Sequence, residues 1–123
     1  MENMDVNPSP FWPSAFWHQR KVFVTGHTGF KGGWLAHWLH ALQAKVHGFA
    51  LAPTGDVNLF DVSDVSSSLT SHKIGDIRQL DALRTRMMEV EPEIVFHLAA
   101  QSLVRESYQN PVDTYATNVM GTV

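Results

Sequence analysis

The sequence predicts an α/β fold, a parallel sheet with helices packed against it. Three observations carry the prediction. Short runs of strand formers alternate with stretches of helical periodicity, an order that requires right-handed crossovers between parallel strands. A cluster of glycines sits where the first run meets the first helix. Ile94-Val95-Phe96-His97-Leu98 is apolar almost without a break, the pattern of a strand buried on both faces.

Regular structure is expected from Lys21, with Val22-Phe23-Val24 as the first strand. Trp34, Leu35, Trp38, Leu39 and Leu42 then recur at the spacing of one helix face; His37 and His40 fall off it and are expected in solvent. A second strand fits Val46 to Leu51 and is broken by Pro53-Thr54-Gly55-Asp56. Residues 57–72 are rich in Ser and Asp and admit a short helix anchored by Leu59, Phe60, Val62, Val65 and Leu69. A short third strand is expected over Lys73 to Ile77, and a helix with Leu80, Leu83 and Met87 on one face closes at Pro92. After the fourth strand, Asn110-Pro111 reads as an N-cap with a first-turn proline. Val112, Tyr115, Ala116, Val119, Met120 and Val123 keep helical phase to the end of the chain, with both tyrosines expected to pack.

Residues 1–15 hold Pro8, Pro10 and Pro13 and little periodicity. They are read as a mobile arm carrying Phe11-Trp12, with Phe16-Trp17 just beyond; one aromatic pair is expected to cover an apolar edge, or the arm binds a partner. Residues 16–123 form the remaining unit.

Composition narrows the function. The 123 residues are 44% hydrophobic and 17% charged, a folded rather than disordered balance. There is no cysteine, which excludes disulfides, thiolate metal sites and a thiol nucleophile. A net charge of -3 and a pI near 6.1 give no footprint for nucleic acid or an anionic membrane. No apolar run has the length of a membrane span, and the N-terminus has no secretory pattern; a cytoplasmic protein is expected.

The chemistry is expected in Gly26-His27-Thr28-Gly29-Phe30-Lys31-Gly32-Gly33. Gly26, Gly29 and Gly32 fall at i, i+3 and i+6, a variant of the dinucleotide-binding fingerprint with its first gap one residue longer. Gly26 permits the turn out of the strand, Gly29 the approach of backbone N–H groups to a pyrophosphate, and Gly32 close packing of helix on sheet. The helix N-terminus then presents its partial positive charge to the phosphates. No Gly-Lys-Ser/Thr follows at Walker A spacing. The competing reading is a glycine-rich turn without a ligand.

The stretch from Val24 to Gly32 resembles the TGxxGFxG signature of the extended short-chain dehydrogenase/reductase family, the NAD-dependent epimerases and dehydratases. Gly75-Asp76-Ile77-Arg78, His97-Leu98-Ala99-Ala100-Gln101 and Tyr115 to Thr122 are similar to its later motifs. Phe16-Trp17, His27, Lys31, Asn58-Leu59-Phe60 and Leu103-Val104-Arg105 point to its CDP-glucose 4,6-dehydratase branch. The resemblance covers about residues 16–123 and implies a Rossmann-type sheet, here limited to about its first four strands. It implies that Gly26, Thr28, Gly29, Phe30 and Lys31, with Gly32 in the same loop, hold the pyrophosphate of NAD. Asp76 would accept from the adenine amine and Ile77 pack on the ring. Leu98, Ala99, Ala100 and Thr117 would border the ribose and nicotinamide, and Gln101 and Ser102 would meet the hexose or nicotinamide end. The bland rivals are a turn-capping role for Asp76, a solvated Lys31, a helix-packing Asn118 and a core histidine at His97.

Two departures qualify the match. The acid expected about 20 residues past the glycines, for a ribose hydroxyl, is Ala52 here; Asp56 lies nearby and no arginine stands in for a 2′-phosphate. The family's Tyr-x-x-x-Lys is absent, since Val112 follows Tyr108 at that spacing and Val119 follows Tyr115. The chain is therefore expected to be the N-terminal portion of a longer enzyme, with no catalytic residue and no metal site, and inactive alone. The whole enzyme implied is a homo-oligomeric lyase of O-antigen sugar biosynthesis, converting CDP-glucose to the 4-keto-6-deoxy sugar. An epimerase or another nucleotide-sugar dehydratase, and a non-catalytic dinucleotide-binding module, remain the alternatives.

Overall fold

The computed structural model describes residues 14–123, so the expectation for the arm lies, up to Pro13, outside the described residues. Helix α1 (Ser14–Trp17) leads into β1 (Lys21–Thr25), α2 (Phe30–Ala41), β2 (Lys45–Ala50), α3 (Leu59–Val62), a 3-10 turn (Val65–Ser68), β3 (Ser71–Ile74), α4 (Leu80–Val90) and β4 (Ile94–His97). The chain then forms α5 (Val104–Gln109), α6 (Pro111–Tyr115) and a π-helical turn (Ala116–Met120). The four strands make one parallel sheet in the order β3-β2-β1-β4, as the alternating pattern requires.

Strand periodicity divides the core in two. Val22, Val24 and Val46 face α2 and pack with Ala36, Leu39, Ala44 and Val65. Phe23 and Phe49 point to the opposite face, where Ile77 and Val90 join them. Their rings stack at 6.5 Å. Trp17 closes the first core against Phe96, with ring centroids 6.3 Å apart.

Several expectations are corrected. The buried face of α2 is Gly32, Gly33, Ala36 and Leu39; Trp34 and Trp38 are 55% and 50% exposed. Small residues let the helix axis approach the sheet, and two indoles on that face would hold it away. His37, expected in solvent, is half-buried between Ser63 and Ser68. β3 begins and ends earlier than expected; Gly75 passes close over the Phe49 ring, where a Cβ would lie 2.5 Å from it, and the chain turns at Ile77 and Arg78. β4 is half-buried rather than covered on both faces, with Val95 45% exposed, since it pairs with β1 alone and α4 packs on β1 and β2.

The expected single terminal helix is α6 followed by the π turn, and α5 went unanticipated. Its stripe, with Val112, Tyr115 and Met120, faces outward. Tyr108 and Tyr115 are thus exposed, not packing residues. Helical phase identifies an apolar face without saying what covers it.

Candidate functional site

All four strands end on one cleft of ≈ 590 Å³. Gly26, Thr28 and Gly29 line it after β1, Leu51 and Thr54 after β2, Gly75 to Arg78 after β3, and Leu98 to Leu103 after β4. Asp113 and Thr117 close it from α6 and the π turn. This is the carboxyl end of a parallel sheet, where open α/β folds take their ligands.

The floor is a strand-to-helix turn built by two glycines. Gly26 has φ +82, and a Cβ there would lie 2.8 Å from the Ala99 nitrogen. A Cβ on Gly32 would collide with the Gly26 carbonyl, so α2 starts directly against the turn. Gly29 precedes α2 in extended conformation, and no side chain caps the helix. Its first-turn N–H groups therefore have no side-chain acceptor, and an anion is the natural complement. The Thr28 hydroxyl donates to the Leu51 carbonyl at 2.8 Å and ties the loop to the end of β2.

His27 anchors the loop from behind. Its ring is fully buried against Gly48, whose missing side chain makes the room; a Cβ there would lie 2.5 Å from the imidazole. Its Nε2 is 3.2 Å from His72 Nδ1, and Phe60 meets both rings. Burial, then the neighbouring His72, pushes the His27 pKa down to about 4, so the ring is neutral at pH 7.

A second anchor joins β1 to β4. The Thr25 hydroxyl oxygen accepts from the Leu98 and Ala99 N–H groups, each at 3.1 Å. It lies 2.7 Å from His97 Nδ1, and His97 Nε2 lies 3.1 Å from the Thr122 hydroxyl, which itself donates to the Asn118 carbonyl. The network assigns the tautomer. Thr122 has spent its proton, so His97 Nε2–H donates to it, and His97 Nδ1 accepts from Thr25. His97 is thus satisfied, but exposed rather than in the core. Sequence reasoning missed Thr25; a hydroxyl at the last strand position before a glycine turn was the available signal.

The far end of the cleft belongs to Asp76. The Arg78 guanidinium beside it holds its carboxyl below the usual carboxylate range, against the opposing effect of burial. Ile77 next to it is buried. Asn118 clamps the Gln101 backbone, accepting from its N–H at 2.8 Å and donating to its carbonyl at 2.9 Å. The Gln101 side chain is held too, by Leu103 and the Thr114 hydroxyl.

The cleft therefore gathers Gly26, Thr28, Gly29, Asp76, Ile77, Leu98, Ala99, Ala100, Gln101, Ser102 and Thr117. Phe30 and Lys31 lie outside it, on a neighbouring apolar depression with Trp34 and Trp38, and Gly32 is buried in the helix. Ala52 and Asp56 do not line it. Among the described residues, no group of three or more His, Asp or Glu could hold a metal ion, and no helix is long and apolar enough to cross a membrane.

Comparison with known proteins follows the same outline. The model of the family described as GDP-mannose 4,6 dehydratase matches residues 23–123. CDP-glucose 4,6-dehydratase of Salmonella typhimurium is 54% identical over 108 residues, 88% of this chain and 30% of that protein. GDP-mannose 4,6-dehydratase of Vibrio cholerae is 32% identical over 111 residues, 85% of this chain and 30% of that one. Among solved structures, UDP-glucose 4-epimerase from Brucella ovis in complex with NAD superposes with a TM-score of 0.68 at 28% identity, over 84% of this chain and 30% of its own. The Thermus thermophilus UDP-glucose 4-epimerase complex with NAD gives 0.71 at 28%, over 82% and 30%. The chain spans about 30% of the length of these relatives.

Proposed function

The chain belongs to the GDP-mannose 4,6 dehydratase family, and from that premise we propose that its cleft binds NAD within a 4,6-dehydratase acting on CDP-glucose. The observation that carries the cofactor reading is the junction of β1 and α2. A positive-φ glycine and a helix start pressed against it leave an uncapped helix N-terminus open at the cleft. That is the complement of a pyrophosphate. Phe30, Lys31 and Gly32 would serve through the backbone N–H groups of the first turn, and Lys31 adds positive charge there.

The rest of the cleft fits the same ligand. Asp76 would accept from the adenine amine, with Ile77 against the ring. Leu98, Ala99 and Ala100 would flank ribose and nicotinamide, with Thr117 opposite. Gln101 and Ser102 would stand at the hexose end, Gln101 held there by Asn118. The lining holds two carboxylates, Asp76 and Asp113, and one guanidinium, Arg78, itself paired. That balance favours NAD over a 2′-phosphorylated cofactor. When bound, NAD would accept the hydride from the hexose and later return it; these residues would orient and bury it.

Identity of 54% to a CDP-glucose 4,6-dehydratase supports the substrate. The complete protein is proposed as a cytoplasmic homo-oligomer and lyase. NAD titrated into the chain should quench Trp34 and Trp38, which stand on α2 beside the loop; saturable binding by calorimetry would support the reading and its absence would sink it. The solved epimerases favour a second reading, UDP-sugar epimerisation. Assay of the complete gene product separates the two: a 4-keto-6-deoxy product from CDP-glucose supports the dehydratase, whereas conversion of UDP-glucose to UDP-galactose with no reaction of CDP-glucose overturns it.

A further inference from the structure

Asp76 does not meet the cleft as a free carboxylate. Its side chain is 17% exposed, and residue 78 alone supplies three N–H donors to it. The Arg78 backbone N–H reaches Oδ1 at 2.9 Å. Nε is shared between Oδ1 at 3.1 Å and Oδ2 at 2.9 Å, and Nη2 reaches Oδ2 at 2.7 Å. A carboxylate has about four lone-pair directions. Three donors from one neighbour leave about one. The guanidinium is held in turn, because its Nη1 lies 3.7 Å from Asp113 Oδ1 on α6. Asp76 is thereby prevented from turning, and Arg78 is tethered on two sides.

We propose that Arg78 is a positioning residue that sets the base specificity of the cleft, by occupying Asp76 so that one acceptor direction remains for one N–H donor. A purine with a 6-amino group supplies that donor. A purine with a 6-oxo group sets acceptor against acceptor and is rejected. Arg78 acts through Asp76, and a lysine could not replace it: an ammonium is a point charge without the planar fork that fixes a carboxylate's orientation. The proposal rests on the NAD reading of the cleft.

The test compares NAD with nicotinamide hypoxanthine dinucleotide, in which the 6-amino group is replaced by an oxo group. Calorimetry on the chain should give a preference for NAD of about tenfold or more. Arg78→Lys should reduce that ratio to a few-fold, the loss falling on NAD while the hypoxanthine analogue binds nearly as before. Asp76→Asn should reduce it similarly, and the double variant should add little, as for residues acting as one unit. Carboxyl NMR gives a cofactor-free readout, in which Arg78→Lys should move the Asp76 titration up toward the ordinary range. Equal weakening of both dinucleotides by Arg78→Lys, or an unchanged ratio, overturns the proposal and leaves the NAD reading standing. If neither dinucleotide binds the unaltered chain, the NAD reading falls and this proposal with it. Should Arg78→Lys fail to fold, the Asp76→Asn ratio decides alone: an unchanged preference overturns the proposal.

Discussion

Gly29 and Gly32 stand three residues apart in one motif and are needed for different reasons. A Cβ on Gly29 would meet only the Gly26 carbonyl oxygen at 3.4 Å, and its backbone is extended, so the fold itself tolerates alanine there. A Cβ on Gly32 would overlap the Gly26 carbonyl, and backbone would have to move. Gly29→Ala should therefore change stability by less than about 1 kcal/mol yet weaken NAD binding at least tenfold. Gly32→Ala should cost roughly 1–3 kcal/mol. Urea unfolding and NAD titration of the pair separate the two roles, and equal destabilisation would refute the distinction. His27, in the same loop, makes the fold acid-sensitive. Its folded pKa is about 4 against an ordinary 6.5. Its contribution is therefore fully present above pH 6.5 and is lost as pH falls from there toward 4. The loss is roughly 3 kcal/mol. His27→Phe keeps a ring beside Phe60 and removes the titration. The unfolding free energy of the native chain should drop more between pH 7 and pH 4.5 than that of the variant, and parallel curves would exclude His27 as the source.

At the scale of elements, what was legible depended on whether a signal named its own partner. The strands were legible because Val22-Phe23-Val24 and the run from Ile94 are apolar enough to require a sheet, and a parallel order followed from the helices between them. The glycine loop was legible because its spacing states a backbone geometry, and Gly26 and Gly32 adopt it. Helix faces were not. In α2 the largest apolar residues, Trp34 and Trp38, outweighed Gly32, Gly33 and Ala36 in the periodic pattern, whereas close packing selects for small size. The same reliance on periodicity placed Tyr115 inside. Polar anchors were the least legible. The hydroxyl of Thr25 and the rings of His27 and His97 meet partners 25 to 74 residues away in sequence, a relation no local pattern encodes. Of the cleft, the sequence therefore disclosed the residues that lie along strand ends, and left out the bonds that hold those ends together.

At the scale of the molecule, one stretch of the described residues carries a run of exposed apolar side chains. Leu103, Val104, Tyr108, Val112, Tyr115 and Met120 are each more than two-thirds exposed, and all stand on α5, α6, the π turn or the approach to them. Phe30, Trp34 and Trp38 make a second outward group on α2. Scattered apolar residues are ordinary on a protein surface, but a stretch of chain presenting several together is a candidate for association. Charge opposes it at neutral pH, where the formal net value is -3. That opposition weakens as pH approaches the pI near 6.1 and histidines gain protons. The chain should therefore associate more at pH 6 than at pH 8, seen by sedimentation at roughly 0.1 mM, at a pH where only the beginning of the His27 loss has set in. Val112→Lys with Met120→Lys should suppress the association at pH 6 without shifting the urea midpoint at pH 8, because neither side chain contributes to the two cores. Monodisperse chain at both pH values would show that this surface is not adhesive. Association that persists in the double variant would transfer the effect to the aromatic group on α2.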